Sequence, residues 1–398
     1  MPKFRLAVVN THPIQYFAPL YRLLAKGDDV ELDVMYCSHQ SVGKGFVDPG
    51  FGREVVWNVP LLEGYPNRFL ANVGGDRGVR GFFSLLNPAA ATGILRGRYD
   101  AVIVHGHNYA TNLLAIAAAK LVGTRVFMRG ETHLLLDRGF VKRHLRRPLM
   151  SLFYKLCDAC LYIGSRNRAF YEAHGVPPAK LFFVPYTVDN DFFMRTVKQD
   201  EAARAQTLGR LGLDAGAPVV LFASKLIERK RPADLLHALA RLEREGVAAS
   251  ALFVGDGELR PSLEQLARDL GLKNVAFIGF VNQAELPQYY ALADVFVLPS
   301  ENEPWGLVIN EVMASGVPVV ASGSIGACAD LVVEGITGFT YPHGDVAKLA
   351  AALAPLLKDG ALRTRMGAAA RERMRDWSYE TCATGILEAL RNTARAHR

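Results

Sequence analysis

Short apolar runs of four to seven residues recur along this chain, and segments of helical spacing stand between them. A run apolar at every position has no face for water, so both faces of its strand must be covered. That is the condition of a parallel sheet built from βαβ units. The first series reads Phe4–Val9, Tyr16–Lys26, Val30–Tyr36, Ala101–Val104, Ala110–Leu121, Arg125–Met128, Lys142–Leu156, Ala159–Ile163, Arg166–Ala173 and Phe182–Val184. The second reads Pro218–Ala223, Ala233–Arg244, Ala251–Val254, Leu259–Leu270, Val275–Ile278, Glu285–Leu292, Val295–Leu298, Gly306–Ser315 and Pro318–Ala321. With 398 residues the chain exceeds one ordinary core. The expectation is an α/β protein of two doubly wound, Rossmann-like domains: residues 1–190, a polar, alanine-rich linker over 191–217, a second domain over 218–375, and a last helical segment over 376–398. Between Val42 and Leu86 the pattern loosens into what reads as exposed loop.

Composition removes several classes. No stretch approaches the roughly 18 apolar residues of a membrane span. The start, Met1 to Val9, enters a strand directly, without the apolar core and cleavage site of a signal peptide. A cytoplasmic protein is therefore expected. Five scattered cysteines (Cys37, Cys157, Cys160, Cys328, Cys382) fit reduced thiols. Residues 1–190 hold 23 Lys plus Arg against 14 Asp plus Glu, a balance of +9, and the remainder holds 23 against 25. The excess basicity of the first half points to an anionic partner. Nucleic acid is not expected, because no basic motif interleaved with aromatic residues accompanies that charge.

The segment with most chemistry is Ser300 to Val320. An apolar run ends at Pro299, a helical pattern begins at Gly306 and stops at Gly316, and another apolar run follows. Glu303 stands at the mouth of this strand-to-helix turn, and Glu311 within the helix. Amides at a helix start favour phosphate, whereas carboxylates repel it and accept hydroxyl groups. Phosphate beside hydroxyls describes a nucleotide sugar. The segment resembles the signature of retaining glycosyltransferases of family 4, through the two glutamates, Gly306-Leu307, Ala314 to Ala321, Gly326 and Gly338. The resemblance implies the GT-B fold: two Rossmann-like domains facing an interdomain cleft, with a final helix that crosses back to the first domain.

It also implies residue roles. Glu303 would contact the donor sugar, Glu311 the ribose hydroxyls, and the amides of Trp305, Gly306, Leu307 and Val308 the diphosphate. Family members carry an Arg and, five residues later, a Lys after the first strand of the second domain. Lys225 and Lys230 occupy those positions, as cations for the departing diphosphate. Arg231-Pro232 stands where Gly usually follows the second cation. The turn Gly255-Asp256-Gly257 would border the nucleotide, and Phe280 and Val281 would hold the base through backbone atoms. In the first half, Asn10 to Phe17 replaces the family's usual glycine-rich loop, so His12, Gln15 and Tyr16 are acceptor-side candidates. Relatives often place a histidine after the strand that here precedes Arg129-Gly130-Glu131-Thr132-His133. Glu131 lies nearer that position, and His133 a few residues late; both are catalytic candidates on the acceptor side.

The expected activity is transfer of a sugar, with retention, from a nucleotide-diphosphate sugar to a hydroxyl acceptor in polysaccharide or glycolipid synthesis. No His/Asp/Glu cluster suggests a metal, and no cofactor is expected. Residues 138–155 join Arg138, Lys142, Arg143, Arg146 and Arg147 to Phe140, Leu145, Leu149, Met150 and Phe153. A helix of this kind can bury its apolar face in the domain or lie on an anionic membrane. The second option would put the protein at the inner face of the membrane, beside a lipid-linked glycan acceptor. A sugar-nucleotide epimerase of the same fold, and a non-catalytic protein that binds sugar nucleotides or nucleic acid, are the rival readings.

Overall fold

The computed structural model describes residues 3–42, 47–48, 53–75, 79, 81–136, 140–195 and 200–395, with the side chains of 47, 48, 53, 140–146 and 395 outside the description. The chain forms two compact units. One comprises residues 1–46, 59–186 and 378–398, and the other residues 47–58 and 187–377.

The first unit holds a seven-stranded sheet. In chain order its strands are β1 (Phe4–Asn10), β2 (Val30–Tyr36), β3 (Asn67–Phe69), β4 (Ala101–His105), β5 (Arg125–Arg129), β6 (Ala159–Tyr162) and β7 (Leu181–Phe183). In space the order is β3-β2-β1-β4-β5-β6-β7, and every pairing is parallel. Leu6 to Val9 and Ala101, Val102 and Val104 are fully buried, as strands covered on both faces must be. The last helix, Tyr379–Arg395, belongs to this unit and packs on helix Ala18–Lys26 and on β6 and β7. Arg391 reaches Asp29 at 3.0 Å, and the Cys382 thiol donates to the Pro185 carbonyl at 3.1 Å. All five cysteines are buried free thiols.

The second unit holds a six-stranded sheet of β8 (Val219–Ala223), β9 (Ser250–Val254), β10 (Val275–Gly279), β11 (Val295–Leu298), β12 (Val319–Ser322) and β13 (Gly338–Tyr341). Its order is β10-β9-β8-β11-β12-β13, again all parallel. Helices Pro232–Arg244 and Val346–Lys358 bury Leu235, Leu239, Leu349 and Leu353 against this sheet. The first and last few residues of the 187–377 stretch of this unit are tied together. Asn190 Nδ2 donates to the carbonyls of Met374 (2.7 Å) and Trp377 (2.9 Å).

Three sequence expectations need correction. The linker expected over 191–217 contains a folded helix, Glu201–Arg210. Asp200 caps it through the Ala203 amide, and Arg204 pairs with Asp294 at 2.6 Å. Its alanines and glycines hide a pattern that a cap and one ion pair complete; residues 196–199 lie outside the described residues. The loop expected over 42–86 includes the edge strand β3, held from within. Buried Asn87 donates to three carbonyls, those of Cys37, Leu70 and Ala71, and Tyr36 and Tyr65 share a 2.6 Å hydroxyl contact. Residues 47–58, read as part of the first domain, fold with the second unit instead. There Asn282 Nδ2 donates to the Val56 carbonyl at 2.6 Å and Asn58 Oδ1 accepts the Ala284 amide at 3.2 Å.

Candidate active site

In an open parallel sheet, ligands bind beyond the carboxyl ends of the strands, where neighbouring strands send their connections to opposite faces. In the second unit that place lies between β8 and β11. After β8 the chain runs through Ser224–Ile227 into a 3-10 turn, Glu228–Lys230. After β11 it runs through Pro299 and Ser300 to Glu303. The two connections are laced together. The Glu301 amide donates to the Arg229 carbonyl at 2.9 Å, and Arg229 Nη1 donates to the Asn302 carbonyl at 2.7 Å.

Glu303 is the centre of this lacing. Its side chain is only 9% exposed, and one oxygen, Oε1, accepts both Lys230 Nζ and Arg229 Nη1, the latter at 3.2 Å. A carboxylate this buried must be paired to stay charged. Burial alone would raise it, but the charges of Lys230 and Arg229 outweigh burial and hold it below the usual carboxylate range. Lys230 is pushed below the ordinary lysine range, chiefly by burial, against the pull of Glu303. Lys225 is half-buried in the same connection, close enough for its charge to bear on Lys230.

Arg231 follows in the left-handed region, at φ 50°. That conformation suits glycine, and here the side chain offsets it with a two-point pair to Asp234 at 2.7 and 3.1 Å. The turn at Gly255 stacks on the Lys225 connection. Its φ is 135°, and a Cβ there would stand 1.9 Å from the Ser224 carbonyl oxygen. Asp256 accepts the Leu226 amide through its own carbonyl, at 2.9 Å, and Phe280 and Val281 follow β10, half-buried.

Gly306 turns the chain into helix Val308–Ala314 with φ 98°, and a Cβ would meet Ile325 Cγ2 at 2.9 Å. The Trp305 side chain is committed inward. It stacks on Trp377 with ring centroids 5.1 Å apart, and its Nε1 donates to Asn310 at 2.8 Å. Leu307 and Val308 begin the helix. Glu311 is buried on it and accepts the Tyr290 hydroxyl at 2.6 Å.

The first unit has its own reversal between β1 and β4. Beyond those strands a polar cluster assembles that the sequence motifs do not mark. Asn10 Nδ2 donates to the Tyr21 hydroxyl at 3.0 Å, which lies 3.3 Å from His105 Nε2. Arg129, at the end of β5, is buried against the rings of Phe17 and Tyr186, which stack on each other with centroids 6.0 Å apart. The Tyr186 hydroxyl donates to Glu131. Glu131 is exposed by area yet crowded by protein atoms, so lost hydration lifts its carboxyl above the usual range, against Tyr186 and Arg129. His105 is brought down to about 3 by burial and then by Arg129, and His12 to about 4 by burial. His12 Nδ1 meets the Thr11 hydroxyl at 2.9 Å. Gln15 and Tyr16 are half-buried beside it in the chain. His133 is buried, with Nδ1 accepting the Leu135 amide at 3.2 Å, a geometry that braces its own loop. Position at a strand's carboxyl end was the signal that could have marked Asn10, His105 and Arg129.

A family model described as glycosyl transferases group 1 matches residues 204–373, and one described as a glycosyl transferase 4-like domain matches residues 15–187. A D-inositol 3-phosphate glycosyltransferase of Xylanimonas cellulosilytica is 30% identical over 319 residues, covering 75% of each chain. The chain belongs to the family 4 glycosyltransferases. Within the family, a GDP-mannose-dependent alpha-(1-6)-phosphatidylinositol monomannoside mannosyltransferase of Mycobacterium tuberculosis is 35% identical over 243 residues, 59% of this chain. The match spans 62% of that relative's length. The crystal structure of Anabaena HepE in complex with UDP superposes with a TM-score of 0.72 at 20% identity, covering 98% of this chain and 99% of the other. The fold is therefore GT-B, with its C-terminal helix.

Proposed function

We propose that this chain is a retaining glycosyltransferase that moves a sugar from a nucleotide-diphosphate sugar to a hydroxyl of a glycolipid or other glycoconjugate. The observation that carries the reading is the buried Glu303 carboxylate held by two cations at the strand reversal of the second unit. Glu303 takes hydroxyls of the donor sugar and Glu311 those of the ribose. The turn Trp305–Val308 takes the diphosphate, Gly255 and Asp256 border the nucleotide, and Phe280 and Val281 hold the base. In the reaction the bond from the sugar C1 to the diphosphate oxygen breaks, and the acceptor oxygen bonds to C1 on the same face. The acceptor proton passes to the departing phosphate. Lys225 and Lys230 stabilise the charge that develops there, in surroundings where burial strengthens the interaction. His12, Gln15, Tyr16, Glu131 and His133 are the acceptor-side candidates.

Turnover of a panel of UDP- and GDP-sugars, read as acceptor-stimulated nucleotide release, tests this for wild type and Glu303→Ala. Release that needs an acceptor and falls at least about 100-fold in the variant supports it. Conversion of the donor without any acceptor would establish the epimerase instead.

A lipid-linked acceptor is favoured by the mannosyltransferase relative, which is named for a phosphatidylinositol monomannoside. It is also favoured by helix Phe140–Lys155, whose Arg138 flank and side chains 140–146 lie outside the described residues. Met150 and Tyr154 face the core, while Leu149, Leu152 and Leu156 are 65, 61 and 48% exposed, with Arg147 and Lys155 exposed among them. Such a stripe fits an anionic bilayer surface. Among the described residues no helix is long and apolar enough to cross a membrane. Leu152→Glu should leave stability within about 0.5 kcal/mol and abolish flotation with anionic liposomes; unchanged flotation would remove the membrane role.

A further inference from the structure

Arg229 is the cation in this crevice to which the donor-site reading assigns nothing. Its side chain is 43% exposed, yet it is tied at three points to the opposite connection: its carbonyl to the Glu301 amide (2.9 Å), and Nη1 to the Asn302 carbonyl (2.7 Å) and to Glu303 Oε1 (3.2 Å). Lys230 shares that same oxygen and is nearly buried, at 11% exposure. The two cations differ in commitment. Arg229 is anchored through one guanidinium nitrogen, Nη1, to a backbone carbonyl as well as to the carboxylate. Lys230 ends in a compact ammonium on a flexible stem.

This sharing resolves a conflict within the donor-site reading. A diphosphate and Glu303 compete for the Lys230 ammonium, and a Lys230 drawn away from Glu303 leaves that buried carboxylate with one cation fewer. We infer that Arg229 is a positioning residue that keeps Glu303 compensated and in place, so that Lys230 can turn from Glu303 to the diphosphate when the donor arrives. The inference rests on the donor-site reading, and its test separates the two.

Binding of GDP and of UDP to the full chain is measured by calorimetry, using whichever nucleotide wild type binds. Arg229→Ala should weaken that binding about tenfold, or about 1.4 kcal/mol. Arg229→Lys should keep most of it, since a cation remains. The deciding variant pairs Arg229→Ala with Glu303→Gln. With the carboxylate charge gone Lys230 is already released, so adding Arg229→Ala to Glu303→Gln should cost less than about twofold. A loss as large on top of Glu303→Gln as in wild type would overturn the inference and make Arg229 a direct ligand or a loop brace. So would an Arg229→Ala variant that binds as wild type does. If wild type binds neither nucleotide, the donor-site reading falls first and the inference with it.

Discussion

Glu303→Ala should destabilise the second unit in a way that depends on pH. The Glu303 and Lys230 side chains are 9 and 11% exposed, so the pair counts as buried. Removing one partner of such a pair costs about 3–5 kcal/mol, because the other charge is left without compensation. The second unit has about 200 residues, for which each kcal/mol moves the melting temperature by about 2–4 °C, so the expected drop near pH 7 is roughly 6–20 °C. The pH dependence follows from the charge left behind. Lys230 faces Glu303, Arg229 and Lys225, and only Glu303 among them raises it. Without Glu303 its folded-state pKa falls further below the unfolded value. Between those two values the unfolded chain binds more protons, so the variant gains stability as pH rises. The deficit against wild type should therefore shrink from about pH 7 toward about pH 10. On the acid side, wild type holds the contribution of Glu303 above the unfolded carboxylate value and loses it as pH falls through the lowered folded value. The two proteins should converge there as well. Thermal unfolding followed by circular dichroism across this range is the assay. A drop under about 1 °C at pH 7, or a deficit equal at pH 7 and 9.5, would refute the reasoning.

Four further outcomes are expected. His12 is already neutral at physiological pH, because burial brings it down to about 4. His12→Gln should leave the shape of the pH–rate profile between about pH 6 and 8 unchanged, and loss of a limb in that range would contradict the assignment. Gly306→Ala, with φ 98° and a Cβ 2.9 Å from Ile325 Cγ2, should cost about 1–3 kcal/mol in denaturant unfolding. Gly209→Ala is the control: it lies in helix Glu201–Arg210 with open space at its Cβ position, and should be neutral or stabilising by up to about 1 kcal/mol. Tyr290→Phe removes the 2.6 Å hydroxyl donor from buried Glu311, and should cost about 1.5–3 kcal/mol in the same measurement.

Strand and helix positions were the most legible part of the chain. Val295–Leu298 and Ala110–Leu121 appear in the structure with the bounds their periodicity predicts, because apolar runs and helical spacing are local patterns. Glu303, Glu311, Lys230 and the glycine turns could be singled out as candidates because they lie in short segments of distinctive residue types, and what the structure adds is their placement around the β8–β11 reversal. Three features were hidden for one common reason, that distant residues complete them. Strand β3 depends on Asn87 and Tyr36. Helix Glu201–Arg210 depends on Asp294, and residues 47–58 depend on Asn282.

The amino-acid pattern settled what kind of protein this is: two wound sheets, a strand–turn–helix carrying Glu303 and Glu311, and cations about eighty residues upstream. Hydrophobic periodicity and turn chemistry act over a few residues, and a linear reading captures them. Which charges meet was settled only in three dimensions. Parallel pairing of β8 with β11 brings Arg229 and Lys230 onto one oxygen of Glu303 across some seventy residues of chain. In the first unit, the reversal between β1 and β4 gathers Asn10, Tyr21, His105 and Arg129. Sheet order decides these encounters, because a parallel sheet places side by side the ends of strands that the chain visits far apart.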